Sequence, residues 1–98
     1  MKVGRQIKAK ALERLLEENK TKQFKAEVDI TFLGGRIEDE ESKVQNEFTR
    51  LNIIDFKRQL SDAYDSLKLA QMWIETYGKE LKHIRKEELK DQKNEFKL

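Results

Sequence analysis

Ten apolar residues, Ile53, Phe56, Leu60, Ala63, Leu67, Ala70, Ile74, Tyr77, Leu81 and Ile84, follow one another at alternating steps of three and four. At 3.6 residues per turn a helix returns every third or fourth side chain to the same side, so this spacing sets all ten on one stripe. The pattern predicts one long helix, entered near Ile53 with Asn52 as its N-cap and Asp55 three residues on. Gly78 costs about 1 kcal/mol inside a helix relative to alanine, but Leu81 and Ile84 keep the phase set before it, so the helix is expected to run through. After Ile84 the pattern thins to Leu89, Phe96 and Leu98, and fraying is expected over residues 1–4 and 86–98.

Two architectures use such a stripe. Its flanking positions hold Lys57, Tyr64, Gln71, Gly78 and Arg85 on one side and Gln59, Ser66, Trp73 and Glu80 on the other, without the matched charges that specify a zipper partner. Phe56 and Tyr77 suit a simple two-stranded seam poorly, whereas Ala63 and Ala70 admit a close neighbouring helix. The stripe is therefore read as the spine of a small bundle, with homodimerisation through the long helix as the alternative.

Upstream the pattern changes twice. Over residues 5–18, Ile7, Ala11, Leu12, Leu15 and Leu16 recur at helical spacing and predict a short amphipathic helix, with residues 19–22 as a connection. Over residues 24–32 the period becomes two: Phe24, Ala26, Val28, Ile30 and Phe32 alternate with polar residues. A helix would throw Ala26 and Ile30 to the side opposite Phe24, Val28 and Phe32, while a strand puts all five on one face, so a strand is expected. Gly34-Gly35 reads as the tight turn of a short β-hairpin setting Phe32 opposite Ile37. Val44, Phe48 and Leu51 then form a short helical stripe over residues 43–51, entered by a capping box of Ser42 and Gln45. The expected fold class is mainly α (α+β): short helix, strand or hairpin, short helix, long helix, in one small domain over residues 1–98.

Composition bounds function. Of the 98 residues 41% are charged and 37% apolar, a balance that favours amphipathic helices over a thick core. The net charge is only +2 but unevenly spread: residues 1–25 carry eight basic and three acidic side chains, residues 26–47 two and seven, residues 48–98 eleven and nine. No stretch approaches the roughly 20 apolar residues that span a bilayer, the start never develops the apolar run of a signal peptide, and there is no cysteine. A cytoplasmic protein without a membrane span is the expectation. The lysine-over-arginine bias, small size and lack of cysteine and proline look like those of short accessory and inhibitory proteins of phages and mobile elements.

The candidate sites are surfaces rather than catalytic constellations. His83, the single histidine, has no cysteine or second histidine beside it, so neither a catalytic triad nor a metal centre is encoded, and no enzyme and no cofactor is expected. Leu69, Met72 and Trp73 lie beside the main stripe and offer a partner-binding patch, or else the second buried side of a central helix. Glu38, Asp39, Glu40 and Glu41 lack the alternation and central glycine of a calcium loop and read as a helix-entry cluster or an acidic contact for a basic partner. Lys2, Arg5, Lys8, Lys10 and Arg14 form a basic N-terminal set suited to nucleic acid, without aromatic stacking residues. Lys79, Lys82, Lys86, Lys90, Lys93 and Lys97 recur at three- and four-residue steps, but interleaved acids give that end the character of a solvated face. The leading expectation is a non-enzymatic helical protein that occupies another protein. The alternatives are a nucleic-acid-binding accessory protein using the basic N-terminal helix and a structural homo-oligomer assembled through the long helix or the strand edge.

Overall fold

A computed structural model of the chain describes the backbone from Lys2 to Phe96 and the side chains from Gly4 to Gln92. The described residues form two helices, α1 (Lys2–Ser42) and α2 (Glu47–Phe96), joined by a four-residue connection. They sort into two compact units, one made of Met1–Lys20 with Gln71–Leu98, the other of Thr21–Ala70.

The expected strand is helix. Residues 24–32 lie inside α1, and Gly34-Gly35 is neither a turn nor at positive φ. The alternation is real, but the helix splits it: Ala26 is buried and Ile30 half-buried, whereas Phe24, Val28 and Phe32 are exposed. The physical reason is a seam running the length of α1. Arg5, Ala9, Leu12, Leu16, Asn19, Gln23, Ala26, Ile30, Leu33, Ile37 and Glu40 are each buried or half-buried and stand at alternating steps of three and four. A repeat this long outweighs the local cost of two interior glycines, about 1 kcal/mol each. The short N-terminal helix and the connection at residues 19–22 are likewise parts of α1; of its apolar stripe Leu12 is buried and Leu15 and Leu16 half-buried, while Ile7 and Ala11 are exposed.

The short helix over residues 43–51 and the restart at Ile53 also fail, because the chain breaks earlier. Ser42 ends α1, its hydroxyl donating to the Asp39 carbonyl at 2.7 Å, and the Gln45 side-chain amide donates to the carbonyls of Glu40 at 3.1 Å and Lys43 at 3.2 Å. The Glu40 carbonyl also accepts from the Lys43 amide at 3.3 Å, so the side chains of Ser42 and Gln45 add to a last turn that the backbone closes only in part. Asn46 then caps α2: its side-chain oxygen accepts from the Thr49 amide at 3.0 Å while the Thr49 hydroxyl accepts from the Asn46 amide at 2.8 Å. This reciprocal pair is a capping box four residues after the one expected at Ser42. Asn52 sits within α2, and Asp55 accepts surface hydrogen bonds from Arg58 and Gln59.

The stripe from Ile53 to Ile84 faces inward as expected, every member being buried or half-buried, and α2 runs through Gly78. In the Met1–Lys20/Gln71–Leu98 unit, Leu12, Leu81 and Ile84 form the buried cluster with Ala9, Leu16 and Tyr77 packed on it. Ion pairs fix the register there: Lys8 with Glu80 at 2.6 Å, Arg85 with Glu13 at 3.1 Å, and Arg5 with Glu87 and Asp91. Arg85 and Glu80 thus have matched charges, supplied by α1. In the Thr21–Ala70 unit the two helical segments make an αα-hairpin with Ala26, Leu33, Ile37, Ala63 and Ala70 buried, the alanines giving the close approach their size allows. Glu41 and Lys57 approach to 3.8 Å across it.

Candidate functional site

A helix with one neighbour buries only one stripe, so any second apolar stripe on it stays in water. In the Thr21–Ala70 unit α1 has such a stripe. Phe24, Val28 and Phe32, four residues apart, are 68%, 50% and 58% exposed on the side away from Ala26, Leu33 and Ile37. Val28 and Phe32 line a shallow depression with Glu27 and Thr31. Phe32 also borders a groove of about 510 Å³ whose apolar side is Leu33, Phe56 and Ala63 and whose polar rim includes Asp29, Arg36 and Asp62. The Arg36 guanidinium lies over the Phe32 ring at 4.8 Å and faces the Phe56 ring at 5.8 Å, a cation–π arrangement that holds one wall of the groove. Val44 in the hairpin connection and Phe48, Leu51 and Ile54 beyond it are exposed as well.

The residues singled out from sequence fall into different settings. Leu69, in the Thr21–Ala70 unit, is 54% exposed. Met72 and Trp73, in the other unit, are exposed, and the Trp73 ring stacks on Tyr77 with centroids 5.2 Å apart. None of the three is covered by a further layer of the described chain. The acidic run is divided: Glu38, Asp39 and Glu41 face solvent, whereas Glu40 turns into the seam. Its carboxylate accepts from Lys43 at 2.8 Å, and that bond holds its pKa below the usual 4.5; burial opposes the shift, and Asn52 together with the charge of Arg36 adds to it.

Of the basic N-terminal set, Arg5 and Lys8 are committed to carboxylates of α2, Lys10 and Arg14 are exposed, and the Lys2 side chain lies outside the described residues. His83 is a surface residue 3.1 Å from Glu87. Among the described residues no cluster of three or more His, Asp or Glu side chains is placed to hold a metal, and no helix is long and apolar enough to cross a membrane.

Sequence reading missed Phe24, Val28, Phe32, Arg36 and Phe56 as a surface. The signal was present in the two-residue alternation, which marks a helix apolar on opposite sides as well as it marks a strand. No protein-family model, curated relative or solved structure matches this chain.

Proposed function

We propose that the chain is a non-enzymatic helical binding protein that acts by occupying another protein, and that the outer row Phe24, Val28 and Phe32 of α1 is its principal contact. The carrying observation is that row: two phenylalanines and a valine held at helical spacing in water, beside a groove with an apolar wall and charged rim. Aromatic side chains set in a local depression are the usual anchors of protein interfaces. The exposed area supports the same reading. The accessible surface is 8052 Å², against about 5,900 Å² expected by mass scaling for a compact monomer of 11.7 kDa. Leu69, Met72, Trp73 and the solvent-facing Glu38, Asp39 and Glu41 extend the surfaces on which a partner has purchase.

The test is a photo-crosslinking side chain at Val28 in the full chain, irradiated in the source cell. One discrete adduct with a different protein is expected, and Phe24→Ser with Phe32→Ser should abolish it while moving stability by less than about 0.5 kcal/mol per exposed site. An adduct of twice the chain's own mass would replace this reading with self-assembly. No adduct at all would overturn it.

A further inference from the structure

In sequence, the lysines of α2 beyond Thr76 alternate with acids; in space the two are separated. Lys79, Lys82, Lys86 and Lys90 are all exposed and, with His83, stand within about 60° of one line along the outer side of the helix, at 100° per residue. Glu80, Glu87, Glu88 and Asp91 are each half-buried and stand toward the seam. Three of these acids are engaged there: Glu80 by Lys8, Glu87 by Arg5 and His83, and Asp91 by Arg5. Lys79 meets Glu75 at 3.0 Å in an exposed pair, while among the described residues no carboxylate lies within ion-pair distance of Lys82, Lys86 or Lys90. The fold thus spends acids of this segment on holding α1 and leaves outside a line of lysines of which only Lys79, among the described residues, has a carboxylate partner.

We propose that this outer line, Lys79, Lys82, Lys86 and Lys90, is a binding strip for the phosphate backbone of nucleic acid. At 1.5 Å per residue it is about 17 Å long with steps of about 4.5 to 6 Å, long enough for its four flexible lysines to meet separate backbone phosphates, up to four contacts in all. The chemistry is largely sequence-independent: ammonium groups act as point charges, and beside the lysines the line carries only His83, with no arginine or asparagine among the described residues to read a base edge in the bidentate manner. A lipid surface fits less well. A helix lying in a bilayer interface inserts its apolar face, and here Leu81 and Ile84 are buried against α1; among the described residues beyond Lys79, Leu89 is the one large apolar side chain left exposed. The basic N-terminal set is a weaker phosphate site, since Arg5 and Lys8 are neutralised within the chain.

The experiment is fluorescence anisotropy of a labelled random-sequence 20-base-pair duplex titrated with the full chain across a potassium chloride series. Four phosphate contacts predict that log K falls against log salt with a slope of about −3.6, or roughly a hundredfold in affinity between 50 and 200 mM. Lys82→Gln with Lys86→Gln should flatten that slope by about 2, Lys82→Glu with Lys86→Glu should abolish binding, and Lys82→Arg with Lys86→Arg should retain it, all with an unchanged helical circular dichroism signal. Lys10→Glu with Arg14→Glu serves as the control off the strip. The proposal is overturned if the duplex does not bind, if the glutamine variant keeps the parent slope, or if only phosphatidylserine vesicles bind. The residues differ from those of the partner surface on α1, so failure here leaves that reading standing.

Discussion

In the Met1–Lys20/Gln71–Leu98 unit the outer side of α2 carries lysines, and the seam is edged by interhelical ion pairs; in the Thr21–Ala70 unit the outer side of α1 carries phenylalanines, and the seam holds three small alanines. Charge follows the same division, with thirteen basic and nine acidic residues in the first unit and eight and ten in the second. Each unit has only two helical layers, so what lies opposite the seam is free to differ: exposed lysines in one, exposed phenylalanines in the other. The two proposed partners, phosphate and an apolar protein surface, rest on that difference.

The units also differ in how their segments are joined, and the largest predicted effect tests this. The two helical arms of the hairpin in Thr21–Ala70 are linked by four residues, whereas the segments of the other unit are linked through the whole fifty-residue hairpin. Leu33→Asp puts an unpaired carboxylate at a buried site, at a cost on the order of 4 kcal/mol. With the hairpin lost, the other unit must also close a fifty-residue flexible loop, about 3.5 kcal/mol more. Amide exchange should become fast throughout. Leu81→Asp, at a site equally buried, should leave residues 21–70 protected while residues 4–20 and 71–92 exchange. If both variants lose protection in the same pattern, the asymmetry of linkage is wrong.

A second prediction, smaller and of opposite sign, concerns the glycines. A Cβ added at Gly34 or Gly35 meets nothing within 4 Å, and neither has positive φ. Gly34→Ala with Gly35→Ala should therefore stabilise the hairpin by about 2 kcal/mol, since alanine gains roughly 1 kcal/mol over glycine at each helix-interior site. Thermal denaturation reads it directly. A fall in Tm would show that α1 needs side chains to be absent at Gly34 and Gly35, against the open space found there.

The long helix was legible because ten apolar residues repeat without interruption along its inner side; α1 was not, because polar residues interrupt its inner row while apolar residues form an outer one. Its seam passes through Asn19, Gln23 and Glu40, which break the apolar repeat that periodicity detects, while Phe24, Val28 and Phe32 supply a competing repeat outside. Asn19 is tolerated in the seam because its side-chain amide donates to the Leu15 carbonyl at 2.8 Å, a bond that no pattern of side-chain types announces. The partners of Glu80 and Arg85 are Lys8 and Glu13; both lie within the helix expected over residues 5–18, but side-chain types alone do not show which stretch of α2 that segment packs against. For the candidate sites, the lysines were legible as residues and illegible as a face: only the seam's position shows which acids turn away from them.

The smallest predicted effect belongs to Glu40, whose buried carboxylate beside the hairpin connection is held in its charged form by Lys43. Its folded pKa is lowered from 4.5, so the folded hairpin binds a proton less readily than the unfolded chain. The stability this contributes is fully present above pH 4.5 and is lost as pH falls through the lower folded value. In the parent, amide protection at residues 37–49 should weaken as the solution is acidified below that point. Glu40→Gln keeps an acceptor for Lys43 but has no proton to bind, so it should be slightly less stable at neutral pH and should lose this acid sensitivity. Parallel protection profiles for parent and variant from pH 6 to pH 3 would show instead that Glu40 gains nothing from Lys43 in the fold, and that the acid response of the hairpin lies with its exposed carboxylates.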